Sequence, residues 1–138
     1  MLAQILVAAS AAIIFALGVV HLIYTFWSTK LHPRDPELEA RLRAVSPVIT
    51  RQTTMWKAWV GFNASHSFGA MLFGAVYGYL ALLDGPFLFR SPFLCLLGLL
   101  LLAGYAVLGK LYWFSVPLRG ILLAAACYVA GLVVAWRG

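Results

Sequence analysis

The sequence has few charged residues and only four acidic ones. Charged side chains make up 10% of its 138 residues, whereas ordinary soluble domains contain about 25%. Hydrophobic side chains supply 64%, well above the roughly 45–50% of soluble domains. This composition excludes an ordinary soluble domain and predicts an integral membrane protein. The length suits one transmembrane domain of a few helices, since each spanning helix needs about 20 apolar residues.

The scarcity of acidic residues also argues against hydrolytic catalysis. All four lie outside the long apolar runs, so a serine or histidine within the membrane has no carboxylate to orient it. Neither a phosphate-binding loop motif nor a dinucleotide-binding fingerprint is present. The two cysteines lack the spacing of a disulfide framework or a zinc site, and a non-enzymatic role is favoured. The four acidic residues are Asp35, Glu37, Glu39 and Asp84, and the two cysteines are Cys95 and Cys127.

Four long apolar runs predict four transmembrane helices, at about residues 2–27, 58–83, 92–109 and 119–136. The runs are continuous rather than alternating, which favours helices over the strands of a membrane barrel. The predicted fold is therefore all-α, an antiparallel bundle of four transmembrane helices in a single domain over residues 1–138. The stretch DGPFLFRSP, residues 84–92, is expected to form a short turn, with Ser91 and Pro92 starting the third helix.

The polar segment between the first two spans contains the signals of a short amphipathic helix at about residues 36–45. Asp35 suits the N-cap position and Pro36 the first helical position. Acidic and basic residues follow at i,i+4 spacing, and apolar residues share one face. Such a helix is expected to lie on the lipid headgroups, and docking of a partner is the alternative. The charge pairs are Glu37 with Arg41 and Glu39 with Arg43, and the apolar residues are Leu38, Leu42 and Val45.

The basic residues are distributed unequally between the two predicted sides of the membrane. Eight of the ten lie in or beside the first and third connectors, and two lie on the opposite side. Because basic residues are enriched in cytoplasmic loops, residues 28–57 are predicted to be cytoplasmic and both termini to lie outside. Topology thus accounts for the positive charge, and a nucleic-acid partner is not expected. The eight are Lys30, Arg34, Arg41, Arg43, Arg51, Lys57, Lys110 and Arg119.

Two histidines are predicted to lie at nearly the same depth in the membrane. His21 is seven residues before Ser28, and His66 is nine residues after Lys57. At a rise of 1.5 Å per residue, these spacings give depths of about 10 and 13 Å. Helical periodicity places further polar residues on the same faces. They are Thr25 beside His21, and Asn63, Ser67 and Tyr77 beside His66.

The second span also contains a GxxxG spacing at Gly74 and Gly78. Small residues let membrane helices approach closely, and polar side chains in a membrane prefer a partner to lipid. We therefore expect the first two spans to pack against each other through their polar and small-residue faces.

Three interpretations of His21 and His66 are open at the level of the sequence. Neutral histidines hydrogen bonded to Asn63, Thr25 or each other would serve only helix association. Two imidazoles on facing helices would instead hold a b-type haem or a metal ion. In the third, the polar residues named above line a pocket for a lipid headgroup, quinone or substrate, and His66 carries a proton. His32, in the loop, is expected to be solvated rather than a third ligand.

Three blocks of the sequence resemble a family of small, uncharacterised bacterial four-helix integral membrane proteins. They are HLIYTFWSTKL from His21, PELEARLRAVSPVITRQTTMWKAW from Pro36 and GFNASHSFGAMLFGAVYGYLA from Gly61. The resemblance is strongest over the first 81 residues. It implies the four-helix architecture and a location in the bacterial cytoplasmic, or inner, membrane, and it assigns no catalytic or binding residue.

The expected function is that of a small integral membrane protein that binds a lipid or hydrophobic ligand without catalysis, or that serves as an accessory subunit. The expected partners are the lipid bilayer and, in the second case, a larger membrane complex or further copies of the chain. The alternative is a haem- or metal-binding redox protein that uses His21 and His66.

Overall fold

The computed structural model describes residues 1–137, which form six helices and no strand. Four helices are long and apolar enough to cross a membrane. The predicted all-α, four-span fold of an integral membrane protein is thereby confirmed. The helices are α1 (Leu2–Trp27), α2 (Pro36–Ala44), α3 (Met55–Leu83), α4 (Gly85–Arg90), α5 (Pro92–Tyr112) and α6 (Ser115–Arg137).

The long helices extend beyond several of the predicted span ends. The first span has the predicted bounds, but α3 begins at Met55 rather than near residue 58. Similarly, α5 ends at Tyr112 rather than near 109, and α6 begins at Ser115 rather than near 119. Hydropathy falls where charged residues occur, but a helix continues through the headgroup layer because its backbone groups still need partners.

A simple turn was predicted for residues 84–92, but this prediction is wrong. The stretch contains the short helix α4. Asp84 caps it, with a carboxylate oxygen that accepts a hydrogen bond from the backbone N–H of Phe87 at 3.2 Å. Ser91 ends α4 and caps α5, since its hydroxyl accepts from the N–H of Leu94 at 3.3 Å. Leu88 is fully buried. This six-residue helix thus anchors the connector, and the predicted start of the third span at Ser91 and Pro92 is confirmed.

The amphipathic helix between the first two spans is present as α2 and ends one residue before the predicted bound. Its predicted cap is confirmed, because Asp35 accepts a hydrogen bond from the N–H of Glu37 at 2.9 Å. Glu39 and Arg43 form the expected i,i+4 ion pair at 2.7 Å. The other predicted ion pair, Glu37 with Arg41, is absent from residues 1–137 of the structure.

The chain divides into two compact units. The first contains residues 1–17 and the chain from Ala70 onward, and the second contains Gly18–Gly69. Portions of all four long helices belong to the first unit, which contains most of the buried hydrophobic side chains. Its largest fully buried hydrophobic residues are Val7, Ile14, Leu88, Leu102 and Tyr128.

Within the first unit, the GxxxG spacing of α3 packs against α1. A Cβ atom placed on Gly74 would lie 2.5 Å from Cβ of Phe15 and 2.7 Å from the carbonyl oxygen of Ala11. A Cβ on Gly78 would lie 3.7 Å from Cβ of Ala11, which is an ordinary contact. Of these two glycines, Gly74 therefore lies closer to α1, and Gly78 tolerates a side chain.

Candidate functional site

His21, Asn63 and His66 form a polar cluster in the second unit. Nε2 of His21 is 2.9 Å from Oδ1 of Asn63, and the rings of His21 and His66 meet edge to face with centroids 5.2 Å apart. The amide group of Asn63 donates to the carbonyl of Trp59 at 2.8 Å, which leaves its oxygen as the acceptor. His21 therefore donates from Nε2. The structure places the two histidines side by side, as their matched depths suggest.

The other polar residues predicted beside the histidines bond to backbone carbonyls. The hydroxyl of Thr25 donates to the carbonyl of His21 at 2.8 Å, and that of Ser67 donates to the carbonyl of Asn63 at 3.0 Å. Such bonds to the preceding turn satisfy a hydroxyl within its own helix. Ser67 is also fully buried. These hydroxyls are therefore satisfied within their own helices.

Tyr77 belongs to the first unit, where it packs in the core. Its hydroxyl donates to the carbonyl of Leu94 at 2.7 Å, and its ring contacts that of Tyr128 with centroids 5.7 Å apart. Tyr128 donates to the carbonyl of Cys95 at 3.1 Å. A Cβ on Gly98 would collide with the Tyr128 hydroxyl. The two tyrosines thus join α3 and α6 to α5.

Four side chains on the loop side of the second unit form a closed ring of contacts, which we call the loop clasp: His32, Glu39, Arg43 and Trp56. His32 contacts both Glu39, with Nδ1 3.1 Å from Oε2, and the Trp56 ring, at 4.8 Å between centroids. Arg43 bonds to Glu39 and lies 4.3 Å from the centre of the Trp56 ring. His32 is thus held by two partners rather than simply solvated.

Electrostatics within the loop clasp favour the ionised form of Glu39. The hydrogen bond from Arg43 is the main cause that lowers the pKa of Glu39 below its ordinary value, and His32 contributes in the same direction. The loop clasp connects α2 to the first turn of α3 through Trp56. The i,i+4 spacing of the sequence does not predict this connection.

A small cavity lies between the loop clasp and the histidine cluster. Its volume is about 10 Å³, which is room for a single water molecule. The indole N–H of Trp59 closes one side by donating to the carbonyl of Leu31 at 3.1 Å. The cavity is too small for a quinone or a lipid headgroup. Its lining residues are Thr25, Leu31, His32, Trp56, Trp59, Val60 and Asn63.

The histidine pair does not fit a haem or a structural metal ion. Zinc sites use at least three protein ligands, and residues 1–137 contain no group of three His, Cys, Asp or Glu side chains that would hold a metal. Two histidines that ligate one haem iron stand on opposite sides of a planar macrocycle. Here the two rings contact each other, and Nε2 of His21 is bonded to Asn63.

The first unit contains a larger cleft, which we call the terminal cleft, where the start of α1, α4 and the end of α6 meet. Its volume is about 400 Å³, within the range of pockets that bind small molecules. The side chains that line it are apolar except for the carboxamide of Gln4, which lies directly over Gly85. The lining residues are Met1, Leu2, Ala3, Gln4, Gly85, Pro86, Phe89, Val134 and Ala135.

The terminal cleft was not predicted from the sequence. Three elements far apart in the chain form it, and one of them is α4, where a turn was expected. One signal was available in the sequence, because Gln4 is the single amide side chain in the first apolar run. Gly85 is buried, and a Cβ there would lie 2.5 Å from Nε2 of Gln4.

Comparisons of the chain with protein-family models, with curated proteins and with solved structures found no match.

Proposed function

We propose that this integral membrane protein binds a lipid or another hydrophobic ligand, without catalysis, in the terminal cleft. The observation that supports the proposal is an open, largely apolar cleft of about 400 Å³ at the ends of two membrane-spanning helices. At the ends of spanning helices, where headgroups meet the acyl boundary, an apolar cleft suits an acyl chain, since that boundary accepts apolar groups.

Selectivity for one lipid depends on polar groups, because an acyl chain is as well solvated by other lipids as by the cleft. The carboxamide of Gln4 is both a donor and an acceptor, which suits the ester region of a lipid. Arg90 ends α4 and Arg137 lies at the end of α6, and both are exposed. Neither forms an ion pair with a carboxylate of residues 1–137. These features favour a lipid with an anionic headgroup.

The unequal distribution of basic residues supports an orientation with residues 28–57 in the cytoplasm. The ends of α1 and α6 that line the terminal cleft would then face the outer leaflet. We extend the proposal to the bacterial cytoplasmic membrane, on the basis of the family resemblance. A role as an accessory subunit of a membrane complex, or as a homo-oligomer, would be compatible with a bound lipid.

The test is the lipid content of protein extracted in mild detergent, measured by mass spectrometry for wild type and two matched variants. Ala135→Phe places a ring in the terminal cleft, whereas Ala130→Phe places it on an exposed part of α6. The proposal predicts an enriched lipid class in wild type and Ala130→Phe, and its loss in Ala135→Phe. Equal lipid content and composition in all three proteins would refute it.

The redox alternative has a separate test. An ultraviolet-visible spectrum and metal analysis of the same preparations would show a Soret band or a stoichiometric metal, and His66→Ala would remove it. Because the ligand set around the two histidines is incomplete, we expect neither signal from this site.

A further inference from the structure

The segment between α2 and α3 is a closed loop with a defined shape. The backbone N–H of Met55 donates to the carbonyl of Val45 at 2.8 Å, which joins the two ends of the loop. Within it, the N–H of Thr50 donates to the carbonyl of Pro47 at 3.2 Å and forms a tight turn. The N–H of Gln52 donates to the Thr50 hydroxyl at 3.1 Å. We call residues 45–55 the closed loop.

The tip of the closed loop exposes two aliphatic side chains. Val48 is 108% exposed and Ile49 is 92% exposed, compared with 60% for Leu100 on the outward face of a spanning helix. The internal hydrogen bonds of the loop fix the backbone on either side of this tip. The loop therefore presents the two side chains without covering them.

The charge around the tip is positive. Arg51 follows the turn and Lys57 follows the loop, and both side chains are exposed. Residues 45–57 include no acidic residue. Paired aliphatic side chains next to basic residues match the two layers of an anionic membrane surface, where headgroups attract cations and the acyl boundary accepts apolar groups.

The position of the loop on α3 brings its tip within reach of the bilayer. Helix α3 has 29 residues, or about 43 Å at 1.5 Å per residue, whereas the hydrocarbon core is about 30 Å thick. We assign the excess to its first turns, because Lys57 is charged and Trp56 and Trp59 suit the interface. Because both ends of the loop meet at Met55, the tip lies within about 20 Å of that residue.

We propose that the closed loop is a second membrane anchor, in which Val48 and Ile49 insert into the leaflet that α3 enters and Arg51 and Lys57 contact anionic headgroups. The proposal is independent of the lipid site in the terminal cleft. The occupant of this surface is the bilayer itself, and coverage by a soluble protein is the competing outcome.

The test places an environment-sensitive nitrobenzoxadiazole fluorophore at Ile49→Cys, in full-length protein whose native cysteines are replaced by alanine. The protein is reconstituted into vesicles of phosphatidylcholine with and without phosphatidylglycerol. We expect blue-shifted emission and quenching by lipid-attached nitroxides in the anionic vesicles. Accessibility of the unlabelled thiol to a water-soluble maleimide should fall roughly tenfold on reconstitution, as expected when burial of an aliphatic side chain stabilises the inserted state.

Two controls separate insertion of the tip from effects of the label. Gln52→Cys carries the same fluorophore on an exposed polar position of the same loop and should report water. Val48→Asp, added to the labelled Ile49→Cys protein, should return the emission to that of water while the helical circular dichroism stays unchanged.

Three results would overturn the proposal. Water-like emission at position 49 in both vesicle types would show that the bilayer does not cover the tip and that the surface is available to a soluble partner. Equal insertion at positions 49 and 52 would show that the aliphatic tip is not the anchor. Equal insertion with and without phosphatidylglycerol would remove the role assigned to the basic residues.

Discussion

Replacement of Gly74 by alanine should destabilise the protein, whereas the same change at Gly78 should not. A Cβ on Gly74 would lie 2.5 Å from Cβ of Phe15, 2.7 Å from the Ala11 carbonyl oxygen and 3.0 Å from Cα of Phe15. Two of these three atoms belong to the backbone of α1, so rotation of a side chain cannot relieve the collision. Within the first unit, α1 and α3 would have to separate by about 1 Å to restore ordinary contacts of about 3.5 Å.

The size of the destabilisation by Gly74→Ala follows from the cost of overpacking a core. Extra atoms in a well-packed core cost about 1–3 kcal/mol, and loss of close helix packing removes much of what holds membrane helices together. A gain in helix propensity of up to about 1 kcal/mol is typical of Gly→Ala in a soluble helix. That gain shrinks here, because membrane helices persist in the unfolded state. We expect Gly74→Ala to lower the free energy of unfolding by about 1–3 kcal/mol, and Gly74→Leu to lower it further.

The assay is unfolding in mixed micelles by increasing mole fractions of dodecyl sulfate, followed by near-ultraviolet circular dichroism. Gly78→Ala is the matched control, because its Cβ would make an ordinary contact of 3.7 Å, and its midpoint should remain close to that of wild type. Equal midpoints for Gly74→Ala and wild type, with unchanged oligomeric state, would refute the assigned packing of α3 on α1.

Three further predictions use the same preparations. Gly98→Ala should destabilise the protein by about 1–3 kcal/mol in the same unfolding assay, whereas Gly104→Ala, with open space around its Cβ, should not; equal effects would contradict the tyrosine packing. Asn63→Leu should cost about 0.6 kcal/mol and at most about 1.7 kcal/mol, the mean and the maximum measured for hydrogen bonds between membrane helices, and an unchanged midpoint would mean that the bond to His21 contributes nothing. Because the pKa of Glu39 is lowered in the folded state, the stabilisation from its ionised form is complete above the ordinary pKa of 4.5 and is lost as pH falls through the lowered value. A spin label at Ala40→Cys should therefore become more mobile below pH 4.5, and Glu39→Gln should abolish this pH dependence. If the mobility of the label did not change with pH, the Glu39 carboxylate would not hold α2 in place.

The spans could be predicted from the sequence because burial in lipid requires long apolar helices. The ends of those helices depend on capping and on the headgroup layer rather than on hydropathy, which is why α3, α5 and α6 exceed their predicted bounds. Helix α4 was missed for a related reason. Its signals, Asp84, Pro86 and Ser91, occur in turns as well as at helix ends, and burial of Leu88 favours a helix only once the other helices are in place.

Spacing along the helices predicted a shared depth for His21 and His66 and put Asn63 on the face of His66, and in the structure the two imidazole rings are in contact. The same periodicity grouped Tyr77 with them, but this side chain bonds to the carbonyl of Leu94 in the other unit's core. Periodicity defines a face of one helix and does not identify which neighbour that face meets. The loop clasp and the terminal cleft depend on contacts between elements distant in sequence, which one sequence without a structure does not determine.

The most direct test of the proposed function is photo-crosslinking in native membranes from a benzoylphenylalanine at Ala135, which lines the terminal cleft, with the same group at the exposed Ala130 as the control. If the terminal cleft binds lipid, the residue at 135 forms an adduct enriched in one anionic lipid class, whereas the residue at 130 labels the bulk lipid mixture. Adducts of identical lipid composition at both positions, or an adduct of residue 135 with another polypeptide in place of lipid, would contradict it.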